Sequence, residues 1–110
     1  LEVWGNGHDE RDFIYVDDMV ESIILAMEKM NNYDPINIGL GKNYTVREIL
    51  QMILRIDGYE GANIIYDPTK PTMIPKRRVS IDKAKRLLGF SPKVKIEDGI
   101  SRTLTYYKGI

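Results

Sequence analysis

The sequence of 110 residues contains no cysteine and only one histidine, His8. Without cysteine, the chain has no disulfide, no Cys-ligated zinc site and no thiol nucleophile. One imidazole does not make a histidine cluster, so we expect no metal site. A single histidine also argues against a Ser-His-Asp triad contained within this chain.

Long hydrophobic runs are missing as well. The longest uncharged apolar run, Ser22–Met27, is far shorter than the roughly 18–20 residues that a membrane-spanning helix needs. The sequence does not open with a cationic segment followed by an apolar stretch, as a secretory signal does. We therefore expect a cytoplasmic protein that does not interact with a membrane. Because the chain opens at Leu1 rather than at methionine, we interpret it as a processed product or a piece of something longer.

The formal net charge is zero, but the two signs are separated along the chain. Acidic side chains concentrate in residues 1–34, and basic side chains concentrate in residues 70–95. A basic segment on a neutral chain indicates a local anionic partner rather than a general affinity for nucleic acid. The alternative is that both sets are solvated surface charges that balance one another.

The pattern of apolar residues predicts a mixed α/β fold in a single domain, residues 1–110. Hydrophobic residues make up 43% and charged residues 29% of the chain, as is typical of a soluble globular protein. Helical spacing predicts about four helices, and short runs of β-formers between turns predict three or four short strands. The predicted helices span 18–30, 46–56, 82–88 and 96–107, and the predicted strands span 2–4, 11–16, 36–38 and 63–66.

Local signals define some of the helix ends. Asp18 as an N-cap places Glu21 at the third helical position, a variant of the capping box. Thr45, followed three residues later by Glu48, is a clean capping box. Gly89 stands where the C-terminus of a helix commonly carries glycine.

Two motifs look like cofactor-binding or catalytic signatures but lack the necessary context. Gly5-Asn6-Gly7 resembles the start of a dinucleotide-binding loop, yet a predicted strand follows it where such a loop needs a helix N-terminus. Tyr66 and Lys70 have the spacing of a catalytic Tyr-x-x-x-Lys pair, which requires both side chains on one helical face. Pro68 lies between them and prevents a helix. We therefore assign neither motif to cofactor binding or catalysis.

Two basic side chains occupy positions suited to an anion. Arg11 is the only basic residue among the first 28 and begins an apolar strand beside a glycine turn. There it can form a fork onto a phosphate, or simply pair with Asp9 or Asp12. Lys70 lies in the proline-flanked loop 67–71, where ordering costs little entropy, although a loop lysine is most often only solvent-exposed.

Five motifs, in order along nearly the whole chain, resemble the second half of the extended short-chain dehydrogenase/reductases (NAD-dependent epimerase/dehydratases) that act on nucleotide sugars. The motifs are Val3-Trp4-Gly5-Asn6-Gly7, the segment from Arg11 to Asp18, Asn37-Ile38-Gly39-Leu40-Gly41, Lys70-Pro71 with Arg77, Arg78 and Asp82-Lys83-Ala84, and the segment from Leu87 to Pro92. Among the branches of this family, the GDP-L-fucose synthases are the most similar. The UDP-glucose 4-epimerases and the nucleotide-sugar 4,6-dehydratases are the alternatives.

The resemblance implies substrate-binding roles for four residues. Arg11 and Lys70 would contact the substrate diphosphate from opposite sides, and Trp4 with Val3 would lie near the nucleobase, largely through their backbone. Many epimerases have arginine at the position of Lys70, which favours the fucose-synthase branch. The role of Arg77 and Arg78 stays open, because that stretch varies within the family.

The resemblance also implies what this chain does not carry. The glycine-rich cofactor loop and the catalytic Tyr-x-x-x-Lys lie upstream of Leu1 in the family. The chain would then be the C-terminal, substrate-binding part of a Rossmann-type enzyme, with no catalytic and no cofactor-binding residue of its own. The full-length enzyme would use NAD or NADP, bind a nucleotide-diphosphate sugar and form a homodimer. A distant alternative is a non-catalytic module that binds a nucleotide or RNA through residues 70–95.

Overall fold

The computed structural model describes residues 1–59, 61–72 and 74–109. Within these ranges the chain forms four helices and four strands of three residues each, which confirms the mixed α/β class. In chain order the elements are β1 (Glu2–Trp4), β2 (Glu10–Asp12), α1 (Val16–Lys29), β3 (Asn43–Thr45), α2 (Val46–Asp57), β4 (Ile65–Asp67), α3 (Asp82–Leu88) and α4 (Ile96–Lys108). None of the helices in the described ranges is long and apolar enough to cross a membrane.

The strands form two separate pairs. β1 and β4 are parallel, with Val3 opposite Tyr66, and β2 and β3 are antiparallel, with Arg11 opposite Tyr44. Both pairs join segments that are far apart in the sequence. As a result, the N-terminal strands are held by the middle of the chain.

Two strand predictions are wrong and one strand was missed. Residues 13–15 form no strand, so the predicted strand 11–16 overlaps β2 only at residues 11 and 12, and residues 36–38 form no strand either. Ile14, Ile36 and Ile38 pack instead against the core. β3 was missed because its sequence, Asn-Tyr-Thr, has one apolar residue between polar ones.

The core lies where α3 packs on α1. Ala84, Leu88 and Phe90 are fully buried, and partly buried apolar side chains surround them. Gly89 adopts the left-handed conformation with φ of 64°, as the C-terminal glycine signal predicted, so the chain can turn and bring Phe90 back into the core. A second layer forms where α2 packs on α4.

Asp18 is not the N-cap of α1. The helix begins two residues earlier, at Val16 with Tyr15 as N-cap, and Asp18 is only 2% exposed. Its carboxylate accepts hydrogen bonds from the backbone N–H groups of Lys93 and Val94, at 3.0–3.2 Å. The carboxylate therefore anchors the segment before α4 instead of the start of its own helix.

The capping box at the start of α2 is confirmed. The backbone N–H of Glu48 donates to Thr45 Oγ1 (3.1 Å), and the backbone N–H of Thr45 donates to Glu48 Oε1 (2.9 Å). The hydrogen bonds from Thr45, first of all from its backbone, hold the pKa of Glu48 below its ordinary value of 4.5.

We expect Thr45→Ala to lower the free energy of unfolding by about 1 kcal/mol, the usual cost of losing a helix cap. Urea denaturation measures it, with Thr105→Ala on α4 as a control that removes a hydroxyl without removing a cap. Because the folded pKa of Glu48 is lowered, its contribution is present above pH 4.5 and is lost as the pH falls through the folded value. The backbone N–H that donates to Glu48 is retained in Thr45→Ala, so both proteins should lose this contribution in acid, and equal stability of wild type and Thr45→Ala at neutral pH would contradict the cap.

The outer face of α1 remains uncovered. Five large apolar side chains on this helix are 47–79% exposed: Val16, Val20, Ile23, Ile24 and Met27. An amphipathic helix normally turns such a stripe toward a core. The apolar residues of α2, in contrast, are half-buried, and that helix packs on α4.

Candidate functional site

Trp4 and Lys70 meet at the C-terminal ends of β1 and β4. The turn after β4 is closed by the N–H of Lys70, which donates to the carbonyl of Asp67 (3.3 Å), and the N–H of Gly5 donates to the same carbonyl (2.7 Å). Lys70 Nζ consequently lies 5.9 Å from the centroid of the Trp4 ring. Trp4 is 57% exposed. A free aromatic face and a cation thus share one patch of surface.

The backbone of β1 presents one free edge beside this patch. The carbonyl of Leu1 and the N–H of Gly5 both point toward β4. By the alternation of a parallel ladder, Val3 also points its backbone groups toward β4, and Trp4 points them the other way. Among the described strands β1 pairs with β4 alone. The backbone available to a planar ligand is therefore that of Trp4 rather than that of the half-buried Val3.

Arg11 lies in the other strand pair, at the centre of β2. Its side chain is half-buried, and Nη1 donates to the carbonyl of Glu10 (2.7 Å). Within the described ranges, it forms no ion pair with Asp9 or Asp12, the partners that the sequence left open. Because side chains alternate along a strand, Arg11 projects from the face opposite to Glu10 and Asp12.

A single segment connects the surroundings of Lys70 and Arg11. After Lys70 the chain reaches β2, where the N–H of Glu10 donates to the carbonyl of Pro75 (2.8 Å). The N–H of Arg77 donates to the carbonyl of Glu10 (3.2 Å), and Lys76 Nζ lies 3.4 Å from Glu10 Oε2. The loop that carries Lys70 is thus fastened to the residue next to Arg11. The contacts do not bring Lys70 and Arg11 themselves together.

Arg47 supports the turn beside Trp4, a role that the sequence analysis did not predict. Its guanidinium lies 3.8 Å from the centroid of the Tyr66 ring, and its Nε donates to the carbonyl of Asn6 (2.6 Å). The N–H of Arg47 also donates to the carbonyl of Gly7 (2.9 Å). These contacts fix the glycine turn that follows Trp4. The only local signal is the adjacent capping box, which gives no indication of a contact so distant in sequence.

The two misleading motifs have the context expected from the sequence. The turn Gly5-Asn6-Gly7 leads into β2 and not into a helix. Tyr66 lies in β4 and Lys70 follows it in a turn, so the two side chains do not share a helical face. Within the described ranges, no group of three or more His, Asp or Glu side chains is placed to hold a metal ion.

Several charges of the basic segment are neutralised within the chain. In addition to Lys76 with Glu10, the structure pairs Lys83 with Asp34 and Lys93 with Glu21. Each pair joins the basic segment to the acidic first third of the sequence. The interpretation that the two sets balance one another therefore holds for these pairs.

Comparison with known proteins identifies the family to which this chain belongs. The family model described as GDP-mannose 4,6 dehydratase matches residues 1–103. The chain belongs to this family. The resemblance to nucleotide-sugar epimerases and dehydratases predicted from the five motifs is thereby confirmed.

Three relatives show the range of this similarity. GDP-L-fucose synthase 1 of Arabidopsis thaliana is 33% identical, over 96% of this chain and 32% of its own length. A crystal structure of UDP-glucose 4-epimerase with UDP-glucose from Thermotoga maritima is 35% identical with a TM-score of 0.91, over 99% of this chain and 35% of that one. A crystal structure of UDP-glucuronic acid 4-epimerase from Bacillus cereus, in complex with UDP-glucuronic acid and NAD, is 31% identical with a TM-score of 0.87, over 99% of this chain and 35% of that one. The chain therefore spans about a third of the length of these relatives.

Proposed function

We propose that this chain is the substrate-binding part of an NAD(P)-dependent nucleotide-sugar enzyme, most like GDP-L-fucose synthase. The observation that carries the proposal is the contact of Lys70 with the exposed ring of Trp4, on a loop fastened to the strand of Arg11. The alternatives within the family are a UDP-glucose 4-epimerase and a nucleotide-sugar 4,6-dehydratase. The matching structures of such epimerases contain UDP-glucose or UDP-glucuronic acid.

The chemistry of a diphosphate explains why two separated cations are needed. Arg11 offers a planar fork of donors, and Lys70 offers a compact charge, so both can neutralise phosphate oxygens from different sides. Neither group takes part in bond making. Their binding energy would be used to hold the sugar in the orientation that the reaction requires.

The cofactor does not fit the described residues of this chain. A dinucleotide places its pyrophosphate on a glycine turn that opens a helix. Here the turn at Gly5–Gly7 precedes β2, and Gly58 and Gly89 end helices rather than begin them. We therefore propose that NAD or NADP binds to a Rossmann portion outside these residues, which also supplies the catalytic groups. This chain alone would not transfer a hydride.

The burial of Phe90 argues against the alternative that residues 70–95 bind a nucleotide or RNA. Readers of single strands stack bases on exposed aromatic rings between basic residues. Phe90 is the only aromatic residue of the segment 70–95, and it is 1% exposed in the core. The basic segment thus has cations but no stacking platform.

An assay of the complete protein tests the proposed function. Nucleotide-diphosphate sugars with GDP or UDP as the nucleotide are incubated with the protein and NAD or NADPH, and the sugar product is identified by NMR. We expect conversion of one such sugar by the complete protein and none by residues 1–110 alone. Binding of NAD(P) by residues 1–110, tighter than by an unrelated control protein, would contradict the proposal. The homodimer remains a prediction from the family resemblance, and the cytoplasmic location remains a prediction from the sequence.

The exposed stripe on α1 gives a separate prediction for the isolated chain. Because contiguous apolar surface in water favours association, residues 1–110 should self-associate through this face. Ile24→Glu places a charge in the stripe and should return the chain to a monomer, as measured by analytical ultracentrifugation. Glu28→Gln, an exposed polar change on the same helix, is the matched control. A monomeric wild type, or an Ile24→Glu variant that associates equally, would contradict self-association through this face.

A further inference from the structure

Asp12, the neighbour of Arg11, forms hydrogen bonds to the turn at residues 39–41, which is distant in the sequence. Its Oδ1 accepts a hydrogen bond from the backbone N–H of Leu40 (2.7 Å), and its Oδ2 accepts one from the N–H of Gly41 (2.8 Å). Both oxygens of one half-buried carboxylate are therefore bonded to one turn. Hydrogen bonds from N–H groups to a carboxylate are among the stronger ones in proteins.

The turn at Gly39–Gly41 leaves space for the Asp12 carboxylate only because residue 39 has no side chain. A Cβ added at Gly39 would lie 2.8 Å from Asp12 Oδ2 and 2.9 Å from its Cγ. The backbone of Gly39 does not have a positive φ, so its conformation alone does not require glycine. The requirement for glycine here comes from the close approach of Asp12.

The strand that carries Arg11 is held along both of its backbone edges. β2 is three residues long; β3 pairs with one edge, and the segment 75–77 bonds to the other edge through the backbone of Glu10. Among the described residues, no backbone bond outside the β2–β3 pair reaches Asp12, so its side chain holds this end of the strand. Since Asp12 projects from the face opposite to Arg11, fixing the carboxylate on the turn fixes the direction in which Arg11 projects.

We propose that Asp12 is a positioning residue for Arg11, and that its two hydrogen bonds to the turn at Gly39–Gly41 set the affinity of the site for a diphosphate. This inference rests on the proposed function, because it assumes that Arg11 contacts the substrate. Asp12 itself touches no substrate. Its effect passes through the orientation of β2.

Two variants disrupt the hydrogen bonds between Asp12 and the turn at Gly39–Gly41 in different ways. Asp12→Asn keeps the size of the side chain, but its amide has one oxygen, so only one of the two N–H bonds survives. Gly39→Ala leaves Asp12 in place and displaces its carboxylate by a steric clash. Each should weaken the binding of a nucleotide-diphosphate sugar by the complete protein about tenfold, raising KM with little change in kcat. Asp17→Asn, an exposed carboxylate at the start of α1, is the control and should change neither.

A double-mutant cycle with Arg11→Ala separates positioning from general destabilisation. If Asp12 acts through Arg11, Asp12→Asn should weaken binding in the wild type and have almost no further effect in the Arg11→Ala background. Equal weakening in both backgrounds, or unchanged affinity in Asp12→Asn and Gly39→Ala, would overturn the positioning role. If Arg11→Ala alone leaves the affinity unchanged, the diphosphate site itself is wrong. The two failures are therefore distinguishable.

Discussion

Replacing Arg11 or Lys70 by alanine should weaken the binding of a nucleotide-diphosphate sugar by the complete protein by about 1.5–3 kcal/mol, the scale of a hydrogen bond to a charged group. This corresponds to a loss of roughly 10- to 150-fold in affinity. Arg11 projects from a strand held on both sides, by Glu10 and by Asp12, so the guanidinium is presented with little freedom left to lose. Lys70 is exposed beside Trp4, and its side chain is free to turn toward a ligand.

Isothermal titration of the complete protein measures this effect. Lys85→Ala, which removes an exposed charge on α3, is the matched control and should bind the sugar nucleotide as the wild type does. Lys70→Arg should retain most of the affinity, because it keeps the charge. Binding of NAD(P) should hardly change in any of these variants. Unaltered affinity for the sugar nucleotide in both Arg11→Ala and Lys70→Ala would rule out the diphosphate assignment.

Replacing Asp18 by alanine should destabilise the fold by about 2–4 kcal/mol, because it removes the acceptor of two backbone N–H groups from a buried position. The carboxylate joins α1 to the segment that leads into α4, and the N–H groups of Lys93 and Val94 lose their partner without it. Asp18→Asn should cost less, since its amide oxygen can still accept one of these hydrogen bonds.

Urea denaturation of the three proteins checks the Asp18 prediction. Asp17→Ala is the control, because Asp17 is the neighbouring carboxylate and is exposed to solvent. We expect its effect to stay within about 0.5 kcal/mol, as for most surface changes. An Asp18→Ala variant as stable as the control would show that the buried carboxylate is not an anchor.

Elements with strong local signals were predictable from the sequence. The helix 82–88 is correct to the residue, because an apolar face and Gly89 define it locally. α2 begins one residue after Thr45, as its capping box indicates. The start of α1 was misplaced because an aspartate near a helix start looks the same whether it caps that helix or bonds to a distant loop.

Features that depend on pairing between distant segments were not predictable. Residues 36–38 have the composition of a strand, but a strand also needs a partner with free backbone groups. Ile36 and Ile38 pack instead against the buried core cluster. For the site, the motifs indicated Arg11, Lys70 and Trp4 individually. The contact between Lys70 and Trp4 follows from the pairing of β1 with β4. The hydrogen bond from the N–H of Leu40 to Asp12 joins residues 28 positions apart. Neither leaves a local trace in the sequence.

The most direct test of a substrate site, as opposed to a cofactor site, uses the fluorescence of Trp4, the single tryptophan of these 110 residues. The emission of the complete protein is compared with that of its Trp4→Phe variant, so that the difference isolates this ring. We predict that the difference changes saturably when a nucleotide-diphosphate sugar is added to the protein already loaded with NAD(P), with a midpoint about tenfold higher in Lys70→Ala. A Trp4 signal that saturates with NAD(P) alone and ignores the sugar nucleotide would contradict the account.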